Sequence, residues 1–294
     1  SGEGKVMGLA SYGKPRYLDI FKKFMRCTPD GFEVDISYFS YMTDGLARYT
    51  RRLVDELGEP RVPESAIEPR HEDIAASLQA ATEDVIVHMA KIARKKTNMK
   101  NLSMAGGVVL NCVANARVVE EAGFERCFFQ PACSDAGSSA GAALYVAHQI
   151  HGAPRVINPG KTDYLGPEYD ADGIRTVLDN AGATYAHVGD SGTVAAQQLA
   201  QGRIIGSFQG RAEYGPRALG NRSIHAQPGP GKIKDILNAR VKFREPFRPF
   251  APSVLESACG RYFGSDTPSP YMLRVYQTRE EHKEALGAVT HVDG

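Results

Sequence analysis

The chain has 294 residues, with 35 basic side chains against 34 acidic ones and a formal net charge of +1. With 42% hydrophobic and 23% charged residues it reads as a globular chain of about two domains, each long enough to bury a core. No run approaches the ~20 apolar residues of a membrane span, and balanced charge argues against a nucleic-acid protein held by bulk electrostatics.

In chain order, Ser1–Gly13 is glycine-rich and Glu56–Arg70 reads as a polar loop. The spacing of Ile74, Leu78, Ala81, Val85, Met89 and Ile92 predicts a long core helix over Glu72–Lys96, with acids at its start and bases at its end. Asn101–Ala105 predicts a strand, Gly106-Gly107 a turn, and Asn111–Ala122 a helix stopped by Gly123. Arg126–Gln130 predicts a second strand and Ser138–His148 a helix, joined by the Ser134–Gly137 loop. This alternation points to an α/β layer with parallel strands. Gly152–Gly166, with Pro154, Pro159 and Gly160, is the expected linker. Beyond it, helices are expected over Asp170–Asn180, Val194–Gln201 and Lys232–Arg240, and strands over Thr184–Val188 and Arg203–Phe208.

Three features carry candidate chemistry. Gly106-Gly107 precedes a helix start at Asn111, where glycine lets a phosphate approach backbone N–H groups or simply turns the chain. A second loop of this form, Asp135-Ala136-Gly137, makes the two look like sides of one nucleotide cleft. Asp135 has two readings, a cation ligand or the cap of the next helix. The Arg211–Arg248 segment interleaves Arg217, Arg222, Lys242, Arg244 and Arg248 with Gly, Pro, Tyr and Phe. That pattern suits semi-buried guanidiniums forming an oxyanion site better than a solvated face, and small phosphorylated ligands better than nucleic acid. His148 and His151 end a helix, where the dipole favours them, and they are not expected to bind metal. The five cysteines (Cys27, Cys112, Cys127, Cys133, Cys259) form no CxxC pair, which points to a reducing cytoplasm. The start shows no secretory leader and no Met, as expected of a piece of something longer.

Five segments together resemble the O-carbamoyltransferases of antibiotic and nodulation-signal biosynthesis: Gly2–Gly13, Ala105–Asn111, Asp135–Gly137, Glu213–Ser223 and Lys242–Pro252. The resemblance implies an α/β fold in two parts. Residues 1–155 would be the second part of an actin-like/hsp70-like (ribonuclease H-like) carbamoyl-transfer domain. Residues 156–294 would be similar to the threonylcarbamoyl-adenylate synthase fold, lacking its C-terminal part. Carbamoyl phosphate and ATP would form carbamoyl-adenylate and pyrophosphate, and the carbamoyl group would pass to a hydroxyl of a glycosylated natural product. Arg217, Lys242 and Arg248 match catalytic positions on carbamoyl phosphate and ATP. Gly106, Gly107, Asn111, Gly137 and Arg222 match the nucleotide site, and Asp135 a ligand of a divalent metal, typically iron, with magnesium serving adenylation. The family's HxxxH pair does not occur here and is expected upstream of Ser1. The resemblance implies no membrane partner and leaves a homo-oligomer open. Two rivals stand beside it: a threonylcarbamoyl-adenylate or tRNA-modifying enzyme, and a nucleotide-binding module without transfer activity.

Overall fold

The computed structural model describes residues 2–41, 48–156, 163–229, 231–265 and 267–294. Helices α1 (Glu3–Ala10) and α2 (Leu18–Phe24) open the chain, followed by the antiparallel strands β1 (Met25–Thr28) and β2 (Gly31–Val34). Helix α3 (Arg51–Leu57) leads through a loop to α4 (Pro69–Thr97). Sequence periodicity does not announce α1, because Gly4 and Gly8 are poor helix formers. Packing supplies what propensity lacks: Gly8 is buried, and a Cβ there would lie 3.5 Å from the Pro249 ring.

Helix α4 confirms the expected long helix and buries more of itself than one stripe. Ala81 and Val85 are buried as the spacing predicts, but so are Asp73, Ala75, Ala76 and Ser77, while Met89 is 38% exposed. These small side chains let the turn after α1 settle on a second face. Lys14 N–H donates to Asp73 Oδ1 (2.7 Å) and Tyr17 N–H to Ser77 Oγ (2.9 Å). The helix starts with Pro69 behind a reciprocal Glu68–His71 cap and ends at Asn98 in the left-handed region.

The expected strand–loop–helix units follow. Strands β3 (Asn101–Met104) and β4 (Arg126–Phe129) pair in parallel, separated by α5 (Cys112–Glu121) and followed by α6 (Ala136–Tyr145). Helix α6 runs on into a wider π-type turn over Val146–Ile150. Three apolar clusters hold these parts together: Phe21, Phe24 and Tyr38 against Ala81; Val87 and Ala90 against Val118 and Ala122; and Val109, Phe129 and Cys133 against Leu273. Burying such aliphatic and aromatic side chains contributes about 1.5–3 kcal/mol each. Leu273 reaches the third cluster from far down the chain, and buried Asn115 fixes it by donating to the Leu273 carbonyl (2.9 Å) and the Val109 carbonyl (2.7 Å).

The rest of the chain departs further from expectation. Part of the expected linker, residues 157–162 with Pro159 and Gly160, lies outside the described residues. Helices α7 (Ala171–Asn180) and α8 (Ser191–Ala200) form where predicted, each capped by an aspartate, Asp170 and Asp190. Thr184–Val188 is not a strand. Among the described residues no strand pairs with it, and the Tyr185 hydroxyl is tied back to Asp179 (2.8 Å). Strand β5 (Ile205–Phe208) forms, but its partner is the antiparallel β6 (Arg222–His225), so the described parallel pairing is confined to β3–β4. The fold is mixed α/β with short sheets. Helices α9 (Lys232–Ile236), extended by a π-type turn over Leu237–Lys242, and α10 (Cys259–Tyr262) complete it. Among the described residues no helix is long and apolar enough to cross a membrane.

Candidate functional site

The Gly106-Gly107 turn sits between β3 and α5. Gly106 has φ +111°, which favours glycine, and its N–H donates to the Cys133 carbonyl (2.6 Å). That bond ties the first candidate loop to the second. Asn111 caps α5 by accepting from Ala114 N–H (3.0 Å), and its amide pairs reciprocally with the Gln79 amide (3.0 and 2.9 Å). The Asn111 side chain is therefore committed to structure, whereas Gly106 and Gly107 leave open space where a Cβ would stand.

The second loop is tighter. A Cβ on Gly137 would fall 2.1 Å from the Ala132 carbonyl oxygen, so the chain doubles back here with no room for a side chain. Asp135 opens α6 but is exposed and makes no side-chain cap bond. The capping reading is not realised, and among the described residues Asp135 belongs to no group of three potential metal ligands, in line with the expectation that its companions lie outside this chain. His148 bonds the Ala153 carbonyl locally (2.9 Å).

The Glu213–Ser223 loop docks on this second loop. Glu213, an acid in a basic segment, organises it: one carboxylate oxygen accepts N–H bonds from Leu219 (2.7 Å), Asn221 (2.8 Å) and Arg222 (3.2 Å). Burial pushes the Glu213 carboxyl up, but these backbone bonds prevail and hold it below the usual range. Tyr214 bonds Ser139 Oγ (2.8 Å) and the Ala136 carbonyl, next to Asp135. Gly215, at φ +129°, lies so close that a Cβ would be 3.1 Å from the Pro131 carbonyl oxygen.

Arg217 extends from this loop towards Cys112 and Cys133. Burial raises both thiols, and the Arg217 charge pulls against the rise. Its Nε is buried without a partner, as is Gln130 Oε1. Arg222 is spent on structure: its guanidinium lies over the Phe208 ring (3.6 Å) and donates to the Gln209, Gly210 and Asn221 carbonyls.

Lys242 and Arg248 meet elsewhere, in an open depression of about 680 Å³ that they line with Lys5, Arg244 and two acids, Glu64 and Glu245. Buried Asn238 shapes its wall by donating to the Pro246 (3.3 Å) and Arg248 (3.1 Å) carbonyls and accepting from Arg244 Nε (2.7 Å). Glu245 is held by Lys5 and, at 3.8 Å, by Arg248. Burial and the nearby Arg248 charge lower the Arg244 pKa, as expected where cations outnumber anions. The expected trio is thus divided: Lys242 and Arg248 share a depression, while Arg217 stands with the Cys133 loop.

A polar latch closes the α1 side. Ser11 Oγ (2.7 Å) and His291 Nδ1 (3.1 Å) both donate to Asp293, His291 meets the Tyr12 ring edge-on at 5.4 Å, and Lys234 Nζ donates to the Tyr12 hydroxyl (3.3 Å). These residues lie far apart in sequence, so only their motif membership could have flagged them. The His291 bond lowers the Asp293 carboxyl to about 2, with burial opposing and Ser11 adding to the effect. A depressed folded-state pKa means stability that is full above the ordinary aspartate range and is lost as pH falls towards 2. Asp293→Asn is expected to flatten the acid-unfolding curve between about pH 4 and pH 2, followed by circular dichroism. An unchanged acid limb would remove Asp293 from the latch.

Comparison with known proteins fixes the class. Residues 1–144 match the family profile described as Carbamoyltransferase N-terminus, and residues 196–294 match Carbamoyltransferase C-terminus. The chain belongs to the carbamoyltransferase family. Nodulation protein NolNO of Sinorhizobium fredii is 40% identical over 302 residues, covering 99% of this chain and 42% of that protein. Nodulation protein NolO of Bradyrhizobium diazoefficiens is 39% identical over 99% of this chain and 53% of its own length. The 3'-hydroxymethylcephem-O-carbamoyltransferase of Amycolatopsis lactamdurans is 36% identical over 96% of this chain and 52% of its own length. The chain spans about half the length of the curated relatives it matches.

Proposed function

We propose that the chain is the central part of an ATP-dependent O-carbamoyltransferase. The observation that carries this reading is the basic depression: Lys242 has no ionic partner among the described residues, and Arg244 and Arg248 crowd beside it. Lys5, Lys242, Arg244 and Arg248 outnumber Glu64 and Glu245 in this open depression, and such an excess of cations suits a polyanion. Carbamoyl phosphate, ATP and water would give carbamoyl-adenylate, phosphate and pyrophosphate. Lys242 and Arg248 would hold the phosphates, screen the repulsion between the two anions and stabilise charge on the leaving pyrophosphate. The carbamoyl group would then pass to a hydroxyl of a small natural product and release AMP. The relative named for the hydroxymethylcephem supports that acceptor class.

In this reading residues 156–294 form the adenylate and residues 1–155, an actin-like domain, use it. Gly106 and Gly107 admit the adenylate, Gly137 and Asn111 hold its loops, and Arg222 stiffens the loop that aims Arg217. Asp135 is one candidate ligand for the metal that the family resemblance implies. The described residues offer no companions to it, so they do not make a metal site by themselves, and no step is assigned to a metal. Five free thiols support a reducing, cytoplasmic setting. The test is pyrophosphate release by the intact enzyme, which is expected only with ATP and carbamoyl phosphate together. Release from ATP alone, or none with both, would overturn the reading.

A further inference from the structure

Glu213 closes the loop that carries Arg217. Four successive N–H groups at the far end of this loop are taken up by two side chains: Leu219, Asn221 and Arg222 donate to Glu213, and Gly220 donates to Ser223 Oγ (2.8 Å). Carbonyls there are held as well, Gly220 by Ser207 Oγ (2.6 Å) and Leu219 by the Tyr164 hydroxyl (2.7 Å). Successive N–H groups turned to one side form a nest that suits an anion, and here the chain supplies its own. Residues Tyr214–Ala218 lie between Glu213 and Leu219. Two of them leave the segment little freedom: Pro216 has a fixed φ, and Tyr214 is pinned to Ser139 and Ala136. Arg217 therefore stands on a short, closed loop.

The charges in this loop are kept apart. Glu213 forms no ion pair among the described residues, although Arg211, Arg217 and Arg222 all lie close in sequence, and backbone dipoles balance it instead. Arg217 likewise has no hydrogen bond or ion pair among the described residues, and its Nε is buried. An ion pair between the two would have neutralised both. Placing the carboxylate on backbone N–H groups fixes the loop and leaves the Arg217 charge for an anionic ligand.

We propose that Glu213 is a positioning residue for carbamoyl-adenylate formation: it holds Arg217 where the guanidinium meets the reacting anions. The proposal rests on the functional reading above, together with the match of Arg217 to a position on carbamoyl phosphate and ATP. Glu213 itself touches no ligand and acts through Arg217.

The test is a double-variant cycle on pyrophosphate release by the intact enzyme, fed with ATP and carbamoyl phosphate. Glu213→Ala is expected to lower kcat by about tenfold or more. Glu213→Gln keeps an oxygen acceptor without the charge and is expected to recover to within about fivefold of the unaltered enzyme. Because Glu213 acts through Arg217, Arg217→Ala/Glu213→Ala should fall no more than about twofold below Arg217→Ala alone. In Glu213→Ala, amide hydrogen exchange should speed up at Leu219, Asn221 and Arg222 and stay unchanged in α4. Losses that multiply in the double variant, or faster exchange throughout α4, overturn the positioning role and leave the assignment of Arg217 standing. Undiminished release by Arg217→Ala overturns that assignment, and the proposal with it.

Discussion

Lys242→Ala and Arg248→Ala are each expected to weaken ATP and inorganic triphosphate binding by one to two orders of magnitude without lowering the melting temperature. Losing a charge-assisted contact costs about 1.5–3 kcal/mol, which is roughly tenfold to 150-fold in affinity. The fold should tolerate the change for a specific reason. Lys242 is exposed and has no ion-pair partner among the described residues, and the Arg248 ion pair with Glu245 is long, at 3.8 Å. The contact that shapes the loop uses the Arg248 backbone carbonyl, which alanine keeps. Removing the Arg248 charge also relieves part of what lowers the Arg244 pKa, of which burial is the larger cause. Arg222→Ala is the contrasting variant. It loses bonds to several carbonyls and the stack on Phe208, so it is expected to melt lower. Binding within twofold of the unaltered chain for both Lys242→Ala and Arg248→Ala would remove the basic depression from the phosphate site.

The contrast between Lys242 and Arg222 shows what a sequence carries and what it does not. Both stand in basic segments that carry Pro and an aromatic residue, and composition treats them alike. Only the structure shows that the Arg222 guanidinium is saturated by carbonyls while Lys242 has no ion-pair partner among the described residues. The local elements were more legible. Helix α4, the β3–α5–β4 unit and the existence of α7 and α8 follow from patterns that act over a few residues, although the Asp190 cap starts α8 three residues before the expected Val194. Helix α1 did not follow, because it is held by packing on α4 and, at Gly8, by close approach to Phe247 and Pro249, all distant in sequence. The expected strand at Thr184–Val188 failed for the complementary reason. Its β-branched and aromatic residues favour a strand, but a strand needs a partner, and β5 takes β6 instead. The same limit hid the Asp293 latch and the division of Arg217 from Lys242, both of which are long-range facts.

The glycine pair Gly137 and Gly107 separates folding from ligand approach. Gly137→Ala is expected to destabilise the chain by about 1–3 kcal/mol, the usual cost of overpacking. Alanine would favour helix α6 by about 1 kcal/mol, but its methyl group would stand 2.1 Å from the Ala132 carbonyl oxygen. That oxygen is backbone and has no rotamer to escape into. The loop must move, and with it Cys133, whose carbonyl accepts the Gly106 N–H. Gly107→Ala meets nothing within 4 Å, and its backbone is not in the left-handed region. Its stability is expected to stay within about 0.5 kcal/mol. Any loss of carbamoyl transfer by Gly107→Ala in the intact enzyme then reports the close approach of a ligand rather than a damaged fold. Denaturant midpoints measure the first effect. Transfer from preformed carbamoyl-adenylate measures the second, with at least a tenfold loss expected. Full transfer activity in Gly107→Ala would place the adenylate away from this turn, and undiminished stability in Gly137→Ala would mean that the loop has more give than its contacts show.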